Sequence, residues 1–289
     1  IGTWSTNGSN LGDVPDIIIP EQWQIKHIGK VLPRIAQVTG SCVGAGGSQA
    51  YLDASFFDWL MRDDEEELKP CCPWPTYGVG RYIAFRGRGG PGEGSFGAAQ
   101  QEAVDHNEFG MLPFDDPRMP QPTIKHGNWW YWTRQDEIGW SWSPRFPIPR
   151  DELEADSKQY GVHAITRIKN ADEWIQAIAA GKAITLASMF GTRARVEGDV
   201  LLGRWNGSWA HQMSSNGYWL KHERHGDLLK INNQWGPNAH GKCPTLSKFD
   251  CTGSFWILRK DADRICRTGE VYAHSATGGF EAAEGLWVW

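Results

Sequence analysis

Two short strings of residues, far apart in the chain, most constrain how it can fold. Gln37–Gly44, near the start, places Cys42 among small residues, and in the second half His211 precedes the string Asn233–Gly236. A free thiol has a pKa near ~8.5 and only its thiolate attacks, so a reactive cysteine needs a base beside it. A histidine within hydrogen-bond reach, oriented by a third polar group, meets that need. If Cys42 is reactive, the chain has to bring these two remote segments together.

Three segments together resemble the motifs of papain-like (C1-type) cysteine peptidases. Gly40–Gly44 reads Gly-Ser-Cys-Val-Gly and matches the nucleophile segment of that family. Trp209–Tyr218 matches its histidine strand, and Lys230–Gly236 matches its asparagine strand. The matched order extends roughly from residue 37 to residue 257, and the combination is more specific than any single motif.

The resemblance implies an α+β fold with two lobes and a cleft between them. A helical lobe is expected at about residues 41–150. A β-barrel-like lobe is expected at about residues 1–40 and 151–289. The whole chain, residues 1–289, would then be one papain-like catalytic domain, with an N-terminal segment that crosses into the β-rich lobe.

The apolar pattern also predicts a helical first half and a strand-rich second half. Between Cys42 and Arg62 the apolar residues are spread too broadly for one stripe, which is typical of a buried helix. A short helix is predicted at Ala98–Glu108 and another at Asp172–Ala180. Strands are predicted at residues 183–190, 200–202, 212–220, 228–232 and 254–258.

The resemblance also assigns roles to individual residues. Cys42 would be the nucleophile and His211 the general base and acid. Asn233 would orient the imidazole, and Trp235 would shield the bond between them. Gln37 would donate a hydrogen bond to the oxyanion, alongside the backbone N–H of Cys42.

The segments before and after the nucleophile qualify this assignment. Gln37 lies five positions before Cys42, whereas the family usually has six. Gly94, in a glycine-rich stretch, resembles the family's glycine that pairs with substrate. A helix that begins at Cys42 would place about half a positive charge beside the sulfur, which favours the thiolate.

Composition and charge exclude several other classes of protein. The net charge is −5 and the isoelectric point is about 6.0, so no broad basic field favours nucleic acid. The mean hydropathy is −0.49 and no run of eighteen apolar residues occurs, which predicts a soluble protein without a membrane span. The histidine pair His222 and His225, with Cys243 and Cys251, has the spacing of no standard zinc site. No metal or other cofactor is expected.

The favoured function is therefore a cysteine endopeptidase that cleaves peptide or protein substrates through a thioester. The alternative is a structural or assembly protein, for example of a virus particle or an extracellular complex, that keeps the fold with weak or no activity. Seventeen tryptophans in 289 residues and the aromatic tail Gly285–Trp289 motivate this alternative, because they offer a docking surface for a partner. A peptidoglycan amidase with a related catalytic plan is a third, less favoured class.

The six cysteines do not suggest a disulfide framework. If Cys42 is the nucleophile, five remain, and five cannot all pair within the chain. Cys243 and Cys251 could close a short loop after the asparagine motif. Secreted relatives pair a cysteine just upstream of the nucleophile, where this chain has Thr39. We therefore expect a fold that does not depend on disulfides.

Overall fold

A long buried helix lies between a group of helices and a large β-sheet. The computed structural model describes residues 2–3, 14–62, 68, 70–86, 97–105, 111–125, 127–141, 150–157, 164–249 and 251–275. The helices in these ranges are α1 Pro20–Ile28, α2 Cys42–Arg62, α3 Pro73–Ala84, α4 Gly97–Asp105, α5 Arg134–Ser141, α6 Arg150–Ser157, α7 Ala171–Ala179, α8 Pro244–Ser247 and α9 Arg259–Thr268. The long helix is α2, which packs against both α3 and the sheet.

The strands form one large and one small sheet. They are β1 Gly2–Thr3, β2 Ile17–Ile18, β3 Arg34–Ala36, β4 Thr123–Lys125, β5 Trp129–Tyr131, β6 Ala164–Arg167, β7 Ala183–Phe190, β8 Arg195–Glu197, β9 Val200–Gly203, β10 Ser208–His222, β11 Gly226–Asn232, β12 Ser254–Leu258 and β13 Glu270–Ser275. The large sheet has the order β1-β6-β13-β7-β10-β11-β12-β9-β8, with β2 also paired to β10. The small sheet has the order β3-β5-β4.

The large sheet is open among the described strands. Its path ends at β1 and β8, which do not pair with each other, so no closed barrel forms there. The expectation of a barrel-like lobe is corrected in this respect, whereas the α+β class is confirmed. Register shifts in β10 bend the sheet, as extra residues in a ladder do.

The N-terminal segment contributes to both sheets. β1 and β2 pair with β6 and β10 of the large sheet. β3 instead pairs in parallel with β5 of the small sheet. The lobe boundaries proposed from the sequence remain a prediction.

The helix α2 is apolar on more than one face, as its sequence predicts. Leu52, Ala54, Phe56 and Phe57 are all fully buried, because the helix has the sheet on one side and other helices on the other. Its glycines permit this close packing. A Cβ at Gly46 would lie 3.3 Å from Cγ of Gln212 in β10, a distance tighter than ordinary van der Waals contact.

The aromatic stretch around residues 129–140 forms core. Trp129, Trp130, Trp132 and Trp140 are all buried. The rings of Trp74 and Trp132 meet edge to face at 5.4 Å, an arrangement that aromatic pairs prefer. Since they are buried, these four residues do not form the docking surface that the tryptophan content suggested. Their burial removes a large apolar area from water, which stabilises the group of helices. The tail Gly285–Trp289 lies outside the described residues.

A buried network of charges joins three distant segments. Glu21 of α1 accepts from Arg34 of β3 and from Nζ of Lys230 of β11, at 2.5 Å for the latter. Lys230 Nζ also donates to Asn216 Oδ1 at 2.8 Å. Burial raises the pKa of Glu21, but the charges of Lys230 and Arg34 outweigh it and lower this pKa to about 2. The network ties the N-terminal segment to the strand that precedes Asn233.

Candidate active site

The loop before Cys42 is held by one buried side chain. Glu137 of α5 accepts hydrogen bonds from the backbone N–H groups of Val38 and Thr39, each at 2.9 Å. It also accepts from the hydroxyl groups of Thr39 and Ser41. Cys42 follows as the first residue of α2 and is half-buried. Nothing in the sequence pattern marks Glu137, which lies 95 positions further along the chain.

The histidine and the asparagine predicted from the sequence are in direct contact. His211 lies in β10 and Asn233 directly follows β11, the neighbouring antiparallel strand. His211 Nε2 lies 2.8 Å from Asn233 Oδ1. The other ring nitrogen, Nδ1, is left to exchange a proton with a reacting group.

Two tryptophans cover this pair on the solvent side. The ring of Trp235 stacks on the imidazole of His211, with centroids 4.5 Å apart and planes 27° apart. Trp209 meets Trp235 edge to face at 5.7 Å. Trp235 is 41% exposed and Trp209 61% exposed, whereas His211 is only 7% exposed. The arrangement leaves the imidazole sheltered from water.

Gln212, the residue after His211, joins the strand of the imidazole to the start of the helix that bears Cys42. The side chain of Gln212 donates to the carbonyl of Val43 at 2.9 Å, which fixes the first turn of α2 against β10. A hydrogen bond from the backbone of Gln212 also favours the thiolate of Cys42. Between the described residues Cys42 and His211 themselves there is no hydrogen bond. Catalytic hydrogen bonds are often long in enzymes without substrate.

Burial governs the ionisation of both groups. It raises the pKa of the Cys42 thiol above its ordinary value, and the hydrogen bond from the Gln212 backbone only partly opposes this. It lowers the pKa of His211 to about 4, although the bond to Asn233 acts in the opposite direction. His211 is therefore neutral near pH 7, and burial of the sulfur favours the neutral thiol of Cys42. Desolvation of the sulfur therefore acts against the thiolate that the position at a helix start favours.

A second histidine, which the sequence left without a role, extends the pair. His240 Nε2 lies 2.6 Å from Asn233 Nδ2, on the side of the amide opposite to His211. Its ring packs against Phe255 at 4.5 Å. The residue lies seven positions after Asn233, and no spacing rule relates the two.

Gln37 and Gly94, to which the resemblance also assigned roles in the site, have different outcomes. The side-chain amide of Gln37 donates to the carbonyl of Thr39 at 2.9 Å, which leaves its second hydrogen for another acceptor. Its oxyanion role remains a prediction. Gly94 lies outside the described residues.

A cavity of about 650 Å³ lies beside the imidazole. It is formed by the end of β7 and the turn after it, the start of β10 and the segment after β11. Its lining residues are Phe190, Gly191, Thr192, Arg193, Ala194, Asn206, Gly207, Ser208, Trp209, His211, Met213, Asn233, Trp235, Ala239, His240 and Phe255. Cys42 does not line it, so the cavity extends from the histidine side of the site.

The remaining candidate ligands are distributed over the fold. Among the described residues, no group of three histidine, cysteine or acidic side chains could hold a metal ion. His222 bonds to Asp199 at 3.1 Å and stacks on His225. All six cysteines are free thiols, so Cys243 and Cys251 do not close a loop.

No helix among the described residues has the length and apolar character that a membrane span requires.

The overall fold is that of the papain-like cysteine proteases, as the sequence motifs predicted. Xylellain, a cysteine protease from Xylella fastidiosa, superposes with a TM-score of 0.58 and 14% identity, over 96% of this chain and 91% of that one. The bromelain protease from Ananas comosus, in complex with the inhibitor E64, superposes with a TM-score of 0.56 and 12% identity, over 91% of this chain and all of that one. No protein-family model matches the chain, and no curated protein matches it by sequence.

Proposed function

We propose that this chain is a cysteine peptidase with Cys42 as nucleophile, His211 as general base and acid, and Asn233 as the residue that orients the imidazole. One observation carries the proposal: the bond of 2.8 Å between His211 and Asn233 lies beside the start of the helix that bears Cys42. The fold shared with the papain-like cysteine proteases supports it. The substrate class is a peptide or protein.

The first step starts from the neutral thiol and the neutral imidazole, the forms that burial favours. As substrate binds, His211 Nδ1 takes the proton of the Cys42 thiol, and the sulfur attacks the carbonyl carbon of the scissile amide. The carbonyl oxygen becomes an oxyanion, which the backbone N–H of Cys42 and the free hydrogen of the Gln37 amide can stabilise. The imidazolium is meanwhile stabilised by its Nε2–H bond to Asn233.

The second half of the reaction returns the enzyme to its starting state. The imidazolium of His211 protonates the leaving amine as the C–N bond breaks, and the acyl group stays on sulfur as a thioester. His211 then takes a proton from water as the oxygen attacks the thioester carbonyl; the C–S bond breaks, the acid is released, and the imidazolium returns its proton to the sulfur. The cavity beside His211 would hold the part of the substrate on the leaving-amine side.

A protein that keeps this fold for assembly is the second candidate. Two observations favour it: burial raises the pKa of Cys42, and no hydrogen bond joins the thiol to the imidazole. Both observations describe a thiol that is less activated than the nucleophile of a working peptidase.

Labelling with the epoxide E64, followed by intact mass and peptide mapping, separates the two candidates. We expect one adduct, at Cys42, together with turnover of fluorogenic peptide amides. Cys42→Ala should lose the adduct and at least about 10⁴-fold of kcat, because the nucleophile is removed. Cys266→Ala, on the outer helix α9, is the matched control and should keep both. No adduct at Cys42, or cleavage retained in Cys42→Ala, would refute the peptidase proposal.

A further inference from the structure

The amide of Asn233 is held from both sides. Its Oδ1 lies 2.8 Å from His211 Nε2, and its Nδ2 lies 2.6 Å from His240 Nε2. An amide nitrogen only donates and an amide oxygen only accepts. The amide therefore presents its acceptor to His211 and its donor to His240.

These contacts specify where each ring carries its proton. His240 Nε2 has to accept, so the proton of neutral His240 lies on Nδ1. His211 Nε2 has to donate, so its Nδ1 carries no proton. Nδ1 is the nitrogen that remains for the exchange with Cys42. The orientation of one amide thus decides whether His211 is ready to act as a base.

We propose that His240 is a positioning residue: by accepting the Asn233 amide proton, it holds the amide in the orientation that keeps His211 Nδ1 unprotonated. The proposal rests on the peptidase function proposed above. Without an acceptor at position 240, the amide can turn over and donate to His211 Nε2. The proton of His211 then moves to Nδ1, and the ring cannot accept the thiol proton.

The same geometry makes the site sensitive to acid through His240. A proton added to Nε2 turns it into a donor that faces the two donors of Asn233 Nδ2. Protonated His240 and protonated His211 then compete for one acceptor, Oδ1 of Asn233, because burial lowers both pKa values to about 4.

The surroundings of His240 keep it neutral at physiological pH. Phe255 of β12 and the ring of Trp235, 6.1 Å away, lie against it. The titratable groups that share its cavity are His211 of β10 and Arg193 of the turn after β7, and no carboxyl group is among the lining residues. Burial lowers the pKa of His240 to about 4, so the base-competent arrangement holds near pH 7.

Two variants of the full chain test the proposal. Gln at position 240 can still accept the Asn233 proton through Oε1 but does not titrate, whereas Leu cannot accept. We expect His240→Leu to lower kcat on a fluorogenic peptide about tenfold at pH 7 with little change in KM, as if about a tenth of the molecules keep the Nε2–H form of His211. His240→Gln should remain within about threefold of wild type at pH 7.

A second readout does not depend on turnover. In ¹⁵N-labelled protein, the imidazole nitrogen shifts of His211 should report the Nε2–H form in wild type and in His240→Gln, and a mixture of the two forms in His240→Leu. A pure Nε2–H form of His211 in His240→Leu at pH 7 would overturn the proposal.

The two proposals can fail separately. If wild type shows no turnover that depends on Cys42, the peptidase function fails, while the ¹⁵N shifts still decide the role of His240. If His240→Leu does not fold, His240→Ala, which also lacks the acceptor, takes its place and should show the same mixture of the two His211 forms.

Discussion

The nucleophile side and the base side of the site are held in different ways. On the nucleophile side, one carboxyl group, that of Glu137, gathers two backbone N–H groups and two hydroxyl groups of the loop before Cys42. On the base side, His211, Asn233 and His240 form a linear chain with one hydrogen bond at each link. Removing Glu137 breaks all of its hydrogen bonds at once. Removing one residue of the series on the base side mainly changes the direction in which the remaining hydrogen bonds run. The first side should therefore respond in stability, and the second in acid sensitivity and turnover.

The largest effect is expected from acid. Burial lowers the pKa of His211, His240 and His274 to about 4, whereas an unfolded histidine takes a proton near pH ~6.5. Between these values the unfolded chain binds more protons, so the free energy of unfolding falls as the pH drops, by about 3 kcal/mol for each histidine. Urea unfolding at pH 7, 6, 5 and 4 measures the loss.

Two acidic groups and one variant sharpen this test. Burial raises the pKa of Asp53 to about 6 and also raises that of Asp261. A raised carboxyl pKa has the opposite sign, so these groups offset part of the loss at low pH. His240→Gln removes one titrating group and should make the decline between pH 6.5 and 4 shallower by about 3 kcal/mol. An unchanged slope would show that the base side does not carry the acid sensitivity.

The next effect in size concerns the anchor of the nucleophile loop. Glu137→Ala leaves four donors without their acceptor, two of them backbone N–H groups, and should cost about 3 kcal/mol or more of stability. Thermal or urea unfolding at pH 7 measures it. Gln135→Ala, an exposed position of the same helix, is the control and should stay within about 0.5 kcal/mol. If Glu137→Ala were as stable as Gln135→Ala, Glu137 would not anchor the nucleophile loop, and the two sides of the site would not differ in this way.

The smallest effect is expected from Asn233, the middle residue of the hydrogen-bonded series His211, Asn233 and His240. Asn233→Ala should lower kcat about 10- to 100-fold with little change in KM, because it orients the imidazole and does not react. Asn238→Ala, exposed in the same segment, should match wild type. Steady-state kinetics on one peptide amide measures both. A loss as large as that of Cys42→Ala would mean that Asn233 does more than orient His211.

The local pattern of the sequence predicted the main elements that carry the site. The predicted bounds of α2, β7 and β12 agree with the structure, because each is a long apolar segment with clear ends. The helix α3 was missed, since Pro73, Pro75, Gly78 and Gly80 read as breakers. Proline is tolerated in the first turn of a helix, and Gly80 lets the backbone of Gln100 approach closely.

The contacts that hold the site were not predictable in the same way. The contact between His211 and Asn233 was expected from the motifs, but Glu137 and His240 were not. Both act through side-chain hydrogen bonds to residues that no local period or motif relates to them. The sequence also reveals the helix start at Cys42 but not the burial that raises the pKa of its thiol.

The buried charges of Glu21, Arg34 and Lys230 restrict how this protein can be shortened or fused. Cutting the chain after α1 would strand a lysine ammonium inside the sheet, three positions before Asn233, and an uncompensated buried charge costs about 3–5 kcal/mol. Expression vectors that trim the amino-terminal stretch, or circular permutants that reopen the chain there, should therefore yield poorly folded material. The natural place for a purification tag or reporter is any exposed turn that leaves α1 attached.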